Sequence, residues 1–169
     1  MRRAGAAAIA LVALVLVALA IPAPARVLAG DESVHVRVVQ IKAVGKREAG
    51  KPIELDKDLE PLRAHLETSL EKKARASLIK KETHTGAPGK TLVFELENHH
   101  HADAIASFVE DRIEVALTIS KRDLKTKKDD LLFTTTVRLK DGATLIQSIV
   151  NGAETGDLVL AITASRDSL

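Results

Sequence analysis

Arg112-Ile113-Glu114-Val115-Ala116-Leu117-Thr118-Ile119-Ser120 alternates large apolar residues with small or polar ones along its whole length. Ile113, Val115, Leu117 and Ile119 share one face at a period of two, the pattern of a half-buried β-strand. Immediately upstream, Glu110-Asp111 is a turn, and Ala104 to Val109 before it completes a hairpin. Downstream, Leu131 to Leu139 sets Leu131, Phe133, Thr135, Val137 and Leu139 on one side. Asp141-Gly142 is a strong tight-turn signal, Ala143–Val150 leads to Asn151-Gly152, and Asp157–Ala164 closes the chain.

The same alternation extends toward the N-terminus. Thr91 to Glu97 reads as a strand, and Ala76 to Thr83 as a weaker one. In Ser33 to Val44 the apolar set Val34, Val36, Val38 slips phase and continues as Val39, Ile41, Ala43. A β-bulge there would keep both sets on one core face. Val34–Val44 and Asp157–Ala164 are expected to be edge strands. Asp56 to Lys73 is the one helical segment of the mature chain, with Leu59, Leu62, Leu66 and Leu70 in one stripe. Asp56 or Asp58 is placed to cap it, and Pro61 fits only because it falls in the first turn. The expected fold is mainly β: an antiparallel sandwich or barrel of about seven or eight strands. The single amphipathic helix would plug one end or cross one sheet.

Residues 1–29 carry a different message. Arg2 and Arg3 precede an apolar run from Ala4 to Ile21, which Pro22 ends. Small-residue processing sites follow at Ala23-Pro24-Ala25 and Val27-Leu28-Ala29. This is the pattern of a secretory signal peptide, cleaved after Ala25 or Ala29. Retention as an uncleaved anchor is the alternative, because the run lies near the lower limit for spanning a bilayer. Residues 30–169 are then a single β-rich domain, secreted or periplasmic, that meets the membrane only during export.

Composition narrows the function classes. The 169-residue chain has 25 Lys plus Arg against 23 Asp plus Glu. Arg2, Arg3 and Arg26 lie in or beside the leader, so the mature chain is close to neutral and has no global field for nucleic acid. With no cysteine, a disulfide framework, a thiolate nucleophile, a Cys-ligated zinc and a lipoprotein anchor are excluded. Trp and Tyr are absent and Phe94, Phe108 and Phe133 are the only aromatic residues, which disfavours ring-stacking sites for sugars and single-stranded nucleic acid.

His84-Thr85-Gly86-Ala87-Pro88-Gly89-Lys90-Thr91 imitates a phosphate-binding loop, but His84 stands where that pattern needs glycine. Strand-like residues follow where a helix is required. A turn between strands is the expectation. Asp56-Lys57-Asp58-Leu59-Glu60 likewise echoes a calcium loop, with Pro61 in the glycine position. The cluster with metal-ligand chemistry is Asn98-His99-His100-His101-Ala102-Asp103. On a strand His99 and His101 would share a face, with Glu97 or Asp103 adding oxygen. Further ligands would have to come from His35, His65 or His84. Lys121, Arg122, Lys125, Lys127 and Lys128 crowd one loop, tempered by Asp123, Asp129 and Asp130, as a solvated hairpin tip does. No Gly-x-Ser-x-Gly elbow and no His-Glu-x-x-His pattern occurs.

Val137-Arg138-Leu139-Lys140-Asp141-Gly142-Ala143-Thr144-Leu145-Ile146, with Gly156-Asp157-Leu158-Val159-Leu160-Ala161-Ile162-Thr163-Ala164, resembles the closing hairpin of a loose group of small exported β proteins from Gram-negative, myxobacterium-like bacteria. That group has no established function to carry over. The same stretch is faintly similar to the strand, Asp-Gly turn and strand of the secretin channel domain, although Gln147-Ser148 stands where secretins place a glycine pair.

The sequence therefore leads to an exported, non-catalytic interaction or accessory module of the cell envelope that needs no cofactor. Its partner would be an envelope protein or surface polymer, met through edge strands or the Lys121–Lys128 loop. A small periplasmic metal-binding protein using His99 and His101 is the alternative, and an unrecognised hydrolase would require a deep pocket.

Overall fold

The computed structural model describes residues 32–150, 156–167 and 169. The leader over residues 1–29 and the Asn151-Gly152 turn lie outside the described residues. In chain order the strands are β1 (Val34–Lys46), β2 (Glu54–Leu55), β3 (Lys73–Gly86), β4 (Thr91–Glu95), β5 (His100–Val109), β6 (Arg112–Arg122), β7 (Asp129–Lys140), β8 (Thr144–Val150) and β9 (Asp157–Ser165). One helix, α1 (Arg63–Ser69), follows a 3-10 segment over Lys57–Leu62. Eight strands match the alternating stretches of the sequence, and two-residue β2 is the addition.

The strands form two separate sheets, not a closed barrel. Sheet A has the order β2-β3-β1-β9-β8 and sheet B the order β4-β5-β6-β7. All pairings are antiparallel except that of β2 with β3. The main core lies between the sheets. Val34, Val36, Val38, Leu160 and Ile162 of sheet A meet Phe94, Ile113, Val115, Leu117 and Ile119 of sheet B there. A second core lies on the opposite face of sheet A, where Val39, Ile41, Ala43, Val159 and Ala161 pack against Leu59, Leu66 and Leu70. The helical segment thus crosses one sheet.

This second core corrects the expected bulge in the first strand. β1 pairs with β9 without interruption from His35↔Ser165 to Ala43↔Asp157. The phase slip at Val38-Val39 marks the point where burial passes from one face of an unbroken strand to the other. Such a strand reads as nearly continuous hydrophobic sequence because both faces are covered. The irregularity lies instead in β3, where Gln40↔Lys80 is followed by Ile41↔Leu78 and Ile79 is the extra residue. β1 and β9 are also interior strands, each paired on both sides, so neither is an edge.

The helix is shorter than its stripe. Pro61 lies inside the 3-10 segment, and α-helical geometry begins only at Arg63. Proline lacks the N–H that an interior helical position would use. Asp56 occupies the N-cap position without capping, because its Oδ2 accepts the Leu78 backbone N–H of β3 at 2.9 Å. The Glu110-Asp111 hairpin forms as expected, with Val109↔Arg112 closing β5 and β6 and Glu110 at φ 58. Asp141-Gly142 does not close a hairpin. It carries the chain from β7 in sheet B to β8 in sheet A, so the strands on either side of it do not pair.

Candidate functional site

The two sheets stack in register of order, with β1 against β5 and β9 against β6. Their edges β7 and β8 therefore share one flank, joined through Asp141-Gly142. The corner is held on the end of β9: Gly142 N donates to Ala164 O, and Arg166 N donates to Asp141 Oδ1, both at 2.9 Å. That hydrogen bond holds the Asp141 carboxyl below its usual value. Arg166 is fixed in turn by the Phe108 ring, 4.6 Å from its guanidinium carbon.

Along this flank the core is incompletely covered. Phe133, Val137 and Leu139 of β7 and Ile149 of β8 pack on the main core but stay partly exposed. Closer to the loop, Leu131 and Leu132 are 64% and 44% exposed. Leu131 was expected to share the inward side of the strand. The step from Ile119↔Phe133 to Ser120↔Leu131 makes Leu132 an extra residue and turns Leu131 away from the core.

The opposite flank, between β3 and β4, is better closed. His84 stacks on the buried Phe94 ring at 4.4 Å between centroids. Gly86 ends β3 and Thr91 begins β4, so the phosphate-loop imitation is a turn between strands.

The histidine cluster does not lie on one strand face. Glu97–His99 is a 3-10 turn in which Asn98 and His99 have φ of 56° and 63°. His99 is exposed, whereas His101 lies on the outer face of sheet B opposite Ser120. His100, which carries no role in the spacing argument, is the buried member. Its Nδ1–H donates to Glu97 O at 2.8 Å, because a carbonyl only accepts. Buried Gln40 of β1 supports the same turn from the other sheet, donating to Glu95 O at 2.7 Å and accepting from Glu97 N at 3.1 Å.

His101 Nε2 is 3.9 Å from Asp129 Oδ2, but that carboxylate belongs mainly to Arg122, whose Nε reaches Oδ1 at 3.1 Å. The Arg122 hydrogen bond keeps the Asp129 carboxyl below its usual range. His35 bonds Thr85, His65 is exposed on α1, and His84 stacks on Phe94, so the structure does not gather these side chains around His99 and His101. Among the described residues no group of three or more His, Cys, Asp or Glu is arranged to hold a metal ion.

The Lys121–Lys128 loop is an ordered turn. Asp123 Oδ1 accepts the Lys125 N–H at 2.7 Å, which lowers its carboxyl pKa, and Asp123 N donates to Lys128 O at 2.8 Å. The loop borders a wide depression lined by His99, Lys121, Leu124 and Asp130. Comparison with known proteins finds no matching family model, no matching curated protein and no matching solved structure.

Proposed function

We propose that the protein is an exported, non-catalytic interaction module of the cell envelope, a two-sheet sandwich that docks a partner along the flank formed by β7 and β8. The observation that carries this reading is the pair of edges on one flank with Phe133, Val137, Leu139 and Ile149 half-covered between them. An added strand would complete the backbone pairing of either sheet and place alternate side chains over that seam. The leader pattern over residues 1–29 supports a secreted or periplasmic location. The partner is an envelope protein offering an extended segment with alternating apolar residues. A surface polymer held by the Lys121–Lys128 loop would instead give binding that falls with salt.

The test is site-specific photo-crosslinking in the native envelope. A benzophenone side chain in place of Thr136, exposed on β7, is expected to capture one discrete protein. The same group in place of Lys90, exposed in the turn between β3 and β4, is expected to capture none. Identical labelling from both positions, or no protein adduct from Thr136, overturns the reading.

A further inference from the structure

β7 and the far part of β3 are both sheet edges, and their inward rows differ. β2 pairs with β3 only at Arg75 and Ala76, so beyond that point β3 is an edge of sheet A among the described residues. Lys80 and Glu82 stand in its inward row, opposite Gln40 and Val38, and form an ion pair at 2.8 Å. Charges turned inward on an edge oppose strand addition, because an added strand would bury them. β7 carries no such guard between Phe133 and Leu139. Its inward row there is Phe133, Thr135, Val137 and Leu139, all half-buried, and the strand contains no proline.

β7 is also complementary to itself when turned end for end. Asp129 and Asp130 lie at its start, Arg138 and Lys140 at its end. A second β7 laid antiparallel, with a two-fold axis through Thr135, sets Phe133 opposite Val137 inward and Thr134 opposite Thr136 outward. Facing residues then share a face, as an antiparallel ladder requires. The extra residue Leu132 steps the ladder by one beyond Phe133, as it does against β6. Leu131 then faces Arg138 and Asp129 faces Lys140, all on the outer face of sheet B. Two-fold symmetry makes each of these contacts occur twice.

This register covers what the single chain leaves open. Phe133 and Val137 meet across the axis and continue the main core from one copy into the next. Leu131, 64% exposed, comes under the methylene stem of Arg138, whose Nε donates to Glu114 Oε2 at 2.8 Å in its own chain. Arg122 holds Asp129 Oδ1 and leaves Oδ2 for the ammonium of Lys140. Lys140 itself forms no salt bridge among the described residues.

We propose that β7 pairs with β7 of a second copy of this chain, joining the two B sheets edge to edge into one continuous sheet. The proposal rests on the reading of the β7 and β8 flank as a docking seam and names the occupant of its β7 side. β7 is itself an extended segment with alternating apolar residues, the kind of segment that the seam requires.

Sedimentation velocity of the protein purified after export, over a concentration series, tests the pairing. A reversible monomer–dimer equilibrium is expected. Lys140→Glu sets like charges opposite each other twice per dimer and should weaken association about tenfold, and Asp129→Lys should do the same. Mixed in equal amounts, the two variants should associate again, because both contacts of the mixed dimer join opposite charges. Lys90→Gln should change nothing. The chain has no cysteine, so Thr135→Cys, on the axis, should oxidise to a disulfide dimer, whereas Thr118→Cys on β6 should stay monomeric under the same oxidant. A monomer at every concentration, no recovery on mixing two folded variants, or equal oxidation of the two cysteine variants would each overturn the proposal. A monomer that still yields one discrete adduct with a different protein from Thr136 overturns the self-pairing alone and leaves the docking seam standing. A monomer with no adduct overturns both.

Discussion

The two sheets solve the same burial problem differently. Sheet B is covered on one face, and β6 shows it in strict alternation: Ile113, Val115, Leu117 and Ile119 inward, Glu114, Ala116 and Thr118 outward. Sheet A is covered on both faces at its centre, so β1 buries Val38, Val39, Gln40 and Ile41 in succession. β9 does the same from Leu158 to Ser165. A break in apolar phase therefore marks the boundary between two cores, and the backbone runs through it undisturbed. The half-covered seam belongs to neither face and runs along the flank that the two sheets share.

The strongest way to break this comparison is to truncate outer-face residues at matched places. Ile41 points away from the main core yet is 0% exposed beneath the helical segment. Ile41→Ala should lower unfolding free energy by about 2–5 kcal/mol in urea titration, as for any large buried aliphatic residue. Thr118→Ala, on the outer face of sheet B, should stay within about 0.5 kcal/mol. A near-neutral Ile41→Ala would remove the second core from the account. Next in size is Gly156→Ala at the entrance to β9. Gly156 has φ +89°, and an added Cβ would lie 2.5 Å from Val44 Cγ1 and 2.9 Å from Ala43 O. Backbone strain and overpacking together should cost about 2–4 kcal/mol by the same titration. Recovery in Gly156→Ala/Val44→Ala would show how much of that is steric.

Most strands were legible because alternation is a local property. Arg112 to Ser120 needs only its own residues to declare one buried face. The helix was legible too, through Leu59, Leu62, Leu66 and Leu70, although its α-helical part is confined to Arg63–Ser69. Sheet membership was not legible, since Asp141-Gly142 has the same turn chemistry whether its strands pair or part into different sheets. Edge position is likewise a property of neighbours. Val34–Val44 and Asp157–Ala164 are the expected edges, and only the two-sided pairing places them inside sheet A. Of the histidines, spacing singled out His99 and His101, whereas the left-handed Asn98 and His99 turn the cluster so that His100 is the one buried.

The smallest expected effect concerns the corner that passes the chain from one sheet to the other. The Asp141 carboxyl is held below its ordinary value of 3.8, chiefly by the backbone N–H of Arg166. A carboxyl depressed in the folded state binds fewer protons there than in the unfolded chain at the same pH. Its contribution is therefore complete above pH 3.8 and disappears as pH falls through the lower folded-state value. Asp141→Asn keeps an oxygen acceptor for Arg166 N but removes the charge. Thermal melts from pH 7 to pH 2 should show the variant slightly less stable at neutral pH and the two curves converging in strong acid. The corner is exposed, so the separation at pH 7 should be small and should shrink with salt. Curves that keep a constant separation down to pH 2 would mean that shape, and not the ionised carboxylate, holds the corner. That outcome would make the tie between the two sheets at Asp141 one of backbone geometry, carried by the bond from Gly142 N to Ala164 O.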